Sequence, residues 1–149
     1  MIDLLNSDLG MLCKRVKLLK EIFAWIEAID TDTKNRILDI LKTDQLQKGI
    51  DGDGDVIGLY SIYTEMINPN KVAGTPYTLE DTGYFYRSLF IGVNTDYLFI
   101  DGDGKKGKEN LFNKYTDSIV GLTQESKDKL AEILVPKYQN HVRKTLQIN

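Results

Sequence analysis

Two Asp-Gly runs hold the densest set of residues that could do chemistry. Asp51-Gly52-Asp53-Gly54-Asp55 sets three carboxylates at alternate positions, and Asp101-Gly102-Asp103-Gly104 sets two. Alternating aspartates can place several hard oxygens around one calcium ion. A calcium-binding module with Asp51, Asp53 and Asp55 as ligands is therefore one functional reading. The EF-hand pattern is not met, because Val56 stands where that loop needs glycine and Ile62 where it needs a bidentate glutamate. Lys105 and Lys106 follow the second run and oppose a cation there. Tight turns use the same residue types, since Asp folds back on its own backbone and Gly accepts unusual dihedrals. Turns are the expectation at both runs.

Asp81-Thr82-Gly83 is the tripeptide of aspartic proteases, where two such carboxylates share one proton. That chemistry needs a buried strand end before the motif and small residues after it. Here Leu79-Glu80 precede it, and the bulky Tyr84-Phe85 follow. A turn is again the expectation, with Gly83 free to take positive φ. An aspartic-protease-like hydrolase built on Asp81 is the least favoured reading. His141 is the only histidine and is expected on the surface of the last helix, with no nucleophile beside it. The single cysteine, Cys13, can form no internal disulfide and has no metal-ligand spacing around it. No phosphate loop, dinucleotide glycine pattern or zinc spacing occurs. The chain is read as a non-enzyme, with no catalytic, cofactor-binding or metal residue assigned.

The elements that carry these residues follow from periodicity. Ile2, Leu5, Leu9, Leu12, Val16, Leu19, Phe23 and Ile26 recur at spacings of three and four, which predicts a long helix over Ile2–Ile29. The same alternation fits a coiled-coil seam. A second helix follows with Thr31 or Thr33 as its cap, buries Ile37, Leu38, Ile40, Leu41 and Leu46, and stops at Gly49. Tyr60–Met66 is ambiguous. Asn68–Tyr77, with Pro69, Gly74 and Pro76, reads as an irregular arm. Tyr84–Val93 and Tyr97–Ile100 flank Asn94-Thr95-Asp96 as the strands of a hairpin, and the second strand is apolar on both faces. Leu111–Tyr115 is expected as a short helix. Thr123 caps a last helix that buries Leu130, Ile133, Leu134, Tyr138, Val142 and Leu146, with a kink at Pro136. The fold class is α+β: a small antiparallel sheet, its hairpin at about 84–101, packed against long N- and C-terminal helices in a single domain, 1–149.

Composition narrows the function classes. With 42% hydrophobic residues, the 149-residue chain can bury a core without disulfides. Its 19 basic and 22 acidic residues leave a net charge of −3, too small a field to steer nucleic acid. Lys14, Arg15, Lys17 and Lys20 form a local basic patch, read as a solvated helix face. Asp3 and Asp8 interrupt any secretory leader, and no stretch is apolar enough to span a bilayer. Aromatics are concentrated between Tyr60 and Phe99, where tyrosines suit surfaces that are half buried and half wet, as at subunit contacts.

Gln45-Leu46-Gln47-Lys48-Gly49-Ile50-Asp51 and Gly58-Leu59-Tyr60-Ser61-Ile62-Tyr63-Thr64 resemble segments of small virion proteins of tailed bacteriophages. So do Leu79 to Phe90, Leu111-Phe112-Asn113-Lys114-Tyr115 and Ile119-Val120-Gly121-Leu122-Thr123, in the same order. The order is similar to that of short neck and tail proteins, including those of crAss-like phages, and of head-tail connector and tail-completion proteins more widely. It spans about residues 45–125 and leaves the terminal helices unmatched. The resemblance implies a non-enzymatic virion protein of the head-tail junction or tail, made in the host cytoplasm. It implies a homo-oligomeric ring between portal and tail. Its partners would be copies of itself and the portal or adjacent neck and tail proteins. No cofactor, small-molecule substrate, membrane or sequence-specific nucleic acid is implied.

Overall fold

Local caps and glycines set where most elements begin and end. The computed structural model describes residues 8–17, 22–94 and 97–148. Within the stretch read as one helix over Ile2–Ile29, it holds α1 (Asp8–Val16) and α2 (Ile22–Glu27). Residues 1–7 and 18–21 lie outside the described residues, so the start and middle of that reading do too, while its far end stops at Glu27. In α1 the apolar side chains of Met11, Leu12 and Val16 are exposed, whereas in α2 Trp25 and Ile26 are buried.

Helix α3 (Thr31–Asp39) is capped one residue earlier than the sequence suggested. Asp30, not Thr31 or Thr33, is the cap: its Oδ1 accepts the Thr33 N–H at 2.8 Å. The Thr33 hydroxyl donates to the same carboxylate at 2.8 Å, so a fully buried threonine closes the cap instead of making it. These bonds, the Thr33 N–H foremost, hold the Asp30 carboxyl below its ordinary pKa. The chain then widens into a π-helical turn, Ile40–Gln45, and tightens into a 3-10 turn, Leu46–Lys48. This change of pitch puts Ile40, Leu41, Gln45 and Leu46 all inside. Gly49 ends the run in the left-handed region, at φ 69°, as the sequence indicated.

Helix α4 (Ile62–Ile67) starts at Ser61, whose side chain accepts the Thr64 N–H. Helix α5 (Tyr84–Ser88) occupies the first half of what was read as the first hairpin strand. The β-strand therefore begins only at Phe90. Phe85 and Tyr86 are buried with Leu38, Leu41 and Leu111, and a single helical turn brings both rings to that core. Burial here overrides the β propensity of aromatics, which reflects context more than backbone preference. The hairpin that remains is β1 (Phe90–Val93) with β2 (Leu98–Asp101), antiparallel, pairing Ile91 with Ile100 and Gly92 with Phe99. A second small hairpin, β3 (Lys105–Lys106) with β4 (Glu109–Asn110), leads into α6 (Leu111–Tyr115), capped by Asn110. A 3-10 turn, Asp117–Val120, precedes α7 (Gln124–Leu146), which Thr123 caps as expected. Helix α7 runs on through Pro136 for 23 residues.

Two apolar clusters share the hairpin between them. Leu41, Leu46, Phe85, Leu89, Ile100 and Ile119 belong to one. Trp25, Ile26, Ile37 and Leu134 form the other, against Ile91, Val93 and Leu98. The inner face of the hairpin is thus covered by α2, α3 and α7. Among the described residues, no helix is long and apolar enough to cross a membrane.

Candidate interaction surfaces

The aspartates that suggested a metal are holding turns together. Asp51 Oδ1 accepts the N–H groups of Asp53 and Asp55, each at 3.0 Å, and Oδ2 accepts the Ser118 hydroxyl at 3.0 Å. Its carboxylate therefore folds its own loop and pins that loop to the 3-10 turn before α7. In the second run, Asp103 Oδ1 accepts the Lys105 N–H and Oδ2 accepts the Tyr84 hydroxyl at 2.7 Å. Those two bonds hold the Asp103 carboxyl below its ordinary pKa. Among the described residues, no three His, Cys, Asp or Glu side chains converge as metal ligands.

Asp81-Thr82-Gly83 is an exposed turn. Gly83 takes φ 73°, and the Thr82 hydroxyl accepts the Tyr84 N–H. The Asp81 carboxylate lies between two ammonium groups, Lys71 at 3.0 Å and Lys106 at 3.3 Å. Hydrogen bonding to Lys71 and then to Lys106 holds its pKa below the ordinary value. A depressed pKa means stability that is present above the unfolded value and lost as pH falls through the folded one. Asp81→Asn is therefore expected to cost under about 1 kcal/mol at pH 7, as exposed pairs do. The gap between variant and parent in urea melts should close in acid, below the folded pKa. A gap that persists unchanged there would refute the ionic account.

His141 departs from the surface position expected of it. It is half-buried, 6.3 Å from the Trp25 ring and 6.0 Å from the Tyr138 ring, and its buried Nε2 has no hydrogen-bond partner among the described residues. Cys13 is exposed. In the basic patch, Arg15 donates to the Leu146 carbonyl at 3.3 Å and ties α1 to the end of α7. Lys20 lies outside the described residues.

The strongest surface feature is one that sequence reading missed. Residues 58–77 fold back on themselves as a lobe around α4. Tyr60 N–H donates to the Thr75 carbonyl, Gly74 N–H to the Tyr60 carbonyl and Tyr77 N–H to the Gly58 carbonyl, at 2.8–2.9 Å. The segment read as an irregular arm is thus the return half of a closed loop. Its base is aromatic: Tyr77 packs edge-on against Tyr60 at 4.8 Å and against Tyr115 of α6 at 5.9 Å. Yet α4 buries nothing. Ile62, Tyr63, Met66 and Ile67 are 72–84% exposed. The lobe's charges are drawn inward instead, with Glu65 accepting the Ala73 N–H and Lys71 bound to Asp81. The signal for the helix was legible, in Ser61 as a cap and apolar pairs at i, i+4. Its lack of cover was not, because periodicity predicts an apolar face and not what meets it.

A second apolar surface surrounds the hairpin. The second strand, apolar on both faces, was expected to be covered on both sides, but the outer face of the hairpin is open: Phe90 is 50%, Tyr97 54% and Phe99 37% exposed. Beside it runs a groove of about 540 Å³ between β2, Phe112 of α6 and the start of α7. Four consecutive residues, Leu98 to Asp101, line this groove. Since side chains alternate between faces, that is possible only if the groove follows the strand's outer edge. Compared with known proteins, the chain matches no family model, no curated protein and no solved structure.

Proposed function

We propose that this chain is a structural subunit that acts by assembling with copies of itself. The observation that carries this reading is the bare apolar face of α4, presented on a lobe whose backbone is internally hydrogen-bonded. Large contiguous apolar patches are uncommon on monomers and mark contact surfaces. Within that reading, the protein serves in the head-tail junction or tail of a tailed phage, as a ring between portal and tail. The resemblance of residues 45–125 to small phage neck and tail proteins supports this placement, and the uncovered aromatic face of the hairpin agrees with a subunit contact. The carboxylate geometry favours neither rival reading, because Asp51 is bound into its own turn and Asp81 is ion-paired with lysines.

Light scattering behind a sizing column tests the reading. The expected result is a discrete species at a whole-number multiple of the 17.0 kDa chain mass. A species at 17.0 kDa from micromolar to millimolar protein would refute self-assembly.

A further inference from the structure

The geometry points to one heterologous contact: α4 of one copy seats in the groove along β2 of the next. This inference rests on the self-assembly reading and names the two surfaces that would meet. Ile62, Tyr63, Met66 and Ile67, each at least 72% exposed, form a contiguous apolar face on the order of 300–600 Å², the size that marks a functional patch. Leu59 and Val72, also exposed on the lobe, bring it toward the ~800 Å² per partner of a stable interface.

The two surfaces also match in chemistry. The groove floor is apolar, formed by Phe112, Val120, Leu122 and Leu130. Its wall is the open edge of a strand. Asn94 N–H donates to the Tyr97 carbonyl, so residues 94 and 97 form a hydrogen-bonded pair. Bonding alternates along antiparallel strands, so residues 92 and 99 bond next. The amides and carbonyls of Leu98 and Ile100 then turn away from β1, toward the groove. Covering an open edge with a helix is a standard way to protect it. An amphipathic helix laying its apolar face into a groove is likewise a recurrent recognition mode.

Placement leaves both surfaces unfilled within one copy. The lobe is closed on itself by the Tyr60, Gly74 and Tyr77 amides and rests on Tyr115 of α6. In that position α4 stays 72–84% exposed, so the chain does not fill its own groove. Two different surfaces that fit each other make a head-to-tail contact, and such contacts propagate into rings or filaments.

Solution mass of the full chain and of paired variants tests this. Ile62→Asp with Ile67→Lys spoils the α4 face while placing each charge at the helix end that favours it. Phe99→Thr removes an apolar residue bordering the groove. Lys127→Trp, from an exposed position, obstructs its mouth and leaves the core untouched. Each variant is first shown to melt cooperatively. The expected result is that the α4 variant and both groove variants run at 17.0 kDa alone. An equimolar mixture of the α4 variant with Lys127→Trp should form a one-to-one dimer, because it retains one intact α4 and one intact groove. An α4 variant that keeps the parent's oligomeric mass overturns the contact and leaves self-assembly standing. So does a mixture that fails to associate, or a groove variant that keeps the parent's mass. A parent chain that is monomeric overturns both.

Discussion

Gln45→Ala is expected to lower the free energy of unfolding by about 3–5 kcal/mol, a large share of the stability of a domain this size. Gln45 is 1% exposed and sits where the π-helical turn meets the 3-10 turn. Its amide nitrogen donates to the Gly121 carbonyl at 3.0 Å and the Asp51 carbonyl at 3.3 Å. Its amide oxygen accepts the Thr123 N–H at 3.0 Å. One side chain thus clamps three segments: the end of the second helical run, the Asp51 loop and the N-terminus of α7. Alanine would leave two carbonyls and an N–H unsatisfied, and each buried orphan costs about 1–3 kcal/mol. A urea titration reads the loss directly, and a cost below about 1 kcal/mol would show that water replaces the clamp.

Gln45→Glu separates hydrogen bonding from shape. It keeps the volume but sets a carboxyl oxygen against two carbonyls. Burial without a counter-ion raises a carboxyl pKa above its unfolded value. Stability is then highest below the unfolded pKa and falls as pH rises through the folded one. Gln45→Glu should therefore be least harmful in mild acid and worsen toward neutrality, whereas Gln45→Ala should show no such trend.

How much of this was legible in the sequence depended on distance along the chain. Thr123 was readable as a cap because the N–H it accepts belongs to Ser126, three residues on. Gly49 and the short helix at Leu111–Tyr115 were readable for the same reason: the deciding interactions are local. Asp30 was missed by one position, since four consecutive capping residues, Asp30 to Thr33, stand there. Helix α5 was misread because Tyr84–Ser88 is aromatic, and aromatic residues favour whichever element buries them. Phe85 and Tyr86 meet a core supplied by Leu38, Leu41 and Leu111. The Gln45 clamp spans 76 residues to Gly121 and 78 to Thr123, beyond any local pattern. Both candidate surfaces are failures of burial, and burial is a property of the packed molecule that a run of apolar letters does not reveal.

The seat of the lobe gives the second large effect. Gly49→Ala is expected to cost about 3 kcal/mol or more, combining two penalties. At φ 69° a Cβ is strained by about 1–2 kcal/mol. That Cβ would also stand 2.3 Å from Pro76 Cβ and 2.8 Å from the Tyr77 carbonyl oxygen, so the backbone at the lobe's base would have to move. Gly74→Ala supplies the comparison, because Gly74 has φ 81° but nothing within 4 Å of its Cβ position. Its cost should be the dihedral strain alone, about 1–2 kcal/mol. The difference between the two variants isolates the steric contact. Pro76 is bridged to Leu59 across the lobe, so displacing it should speed hydrogen exchange at the Tyr60, Gly74 and Tyr77 amides that close the loop. Equal costs for the two variants, or unchanged exchange at those amides, would show that the lobe does not depend on the Gly49 seat. If it does depend on it, Gly49→Ala should also weaken self-association without altering a residue of the α4 face, because a docking helix presented on a loosened base must be ordered anew each time it binds.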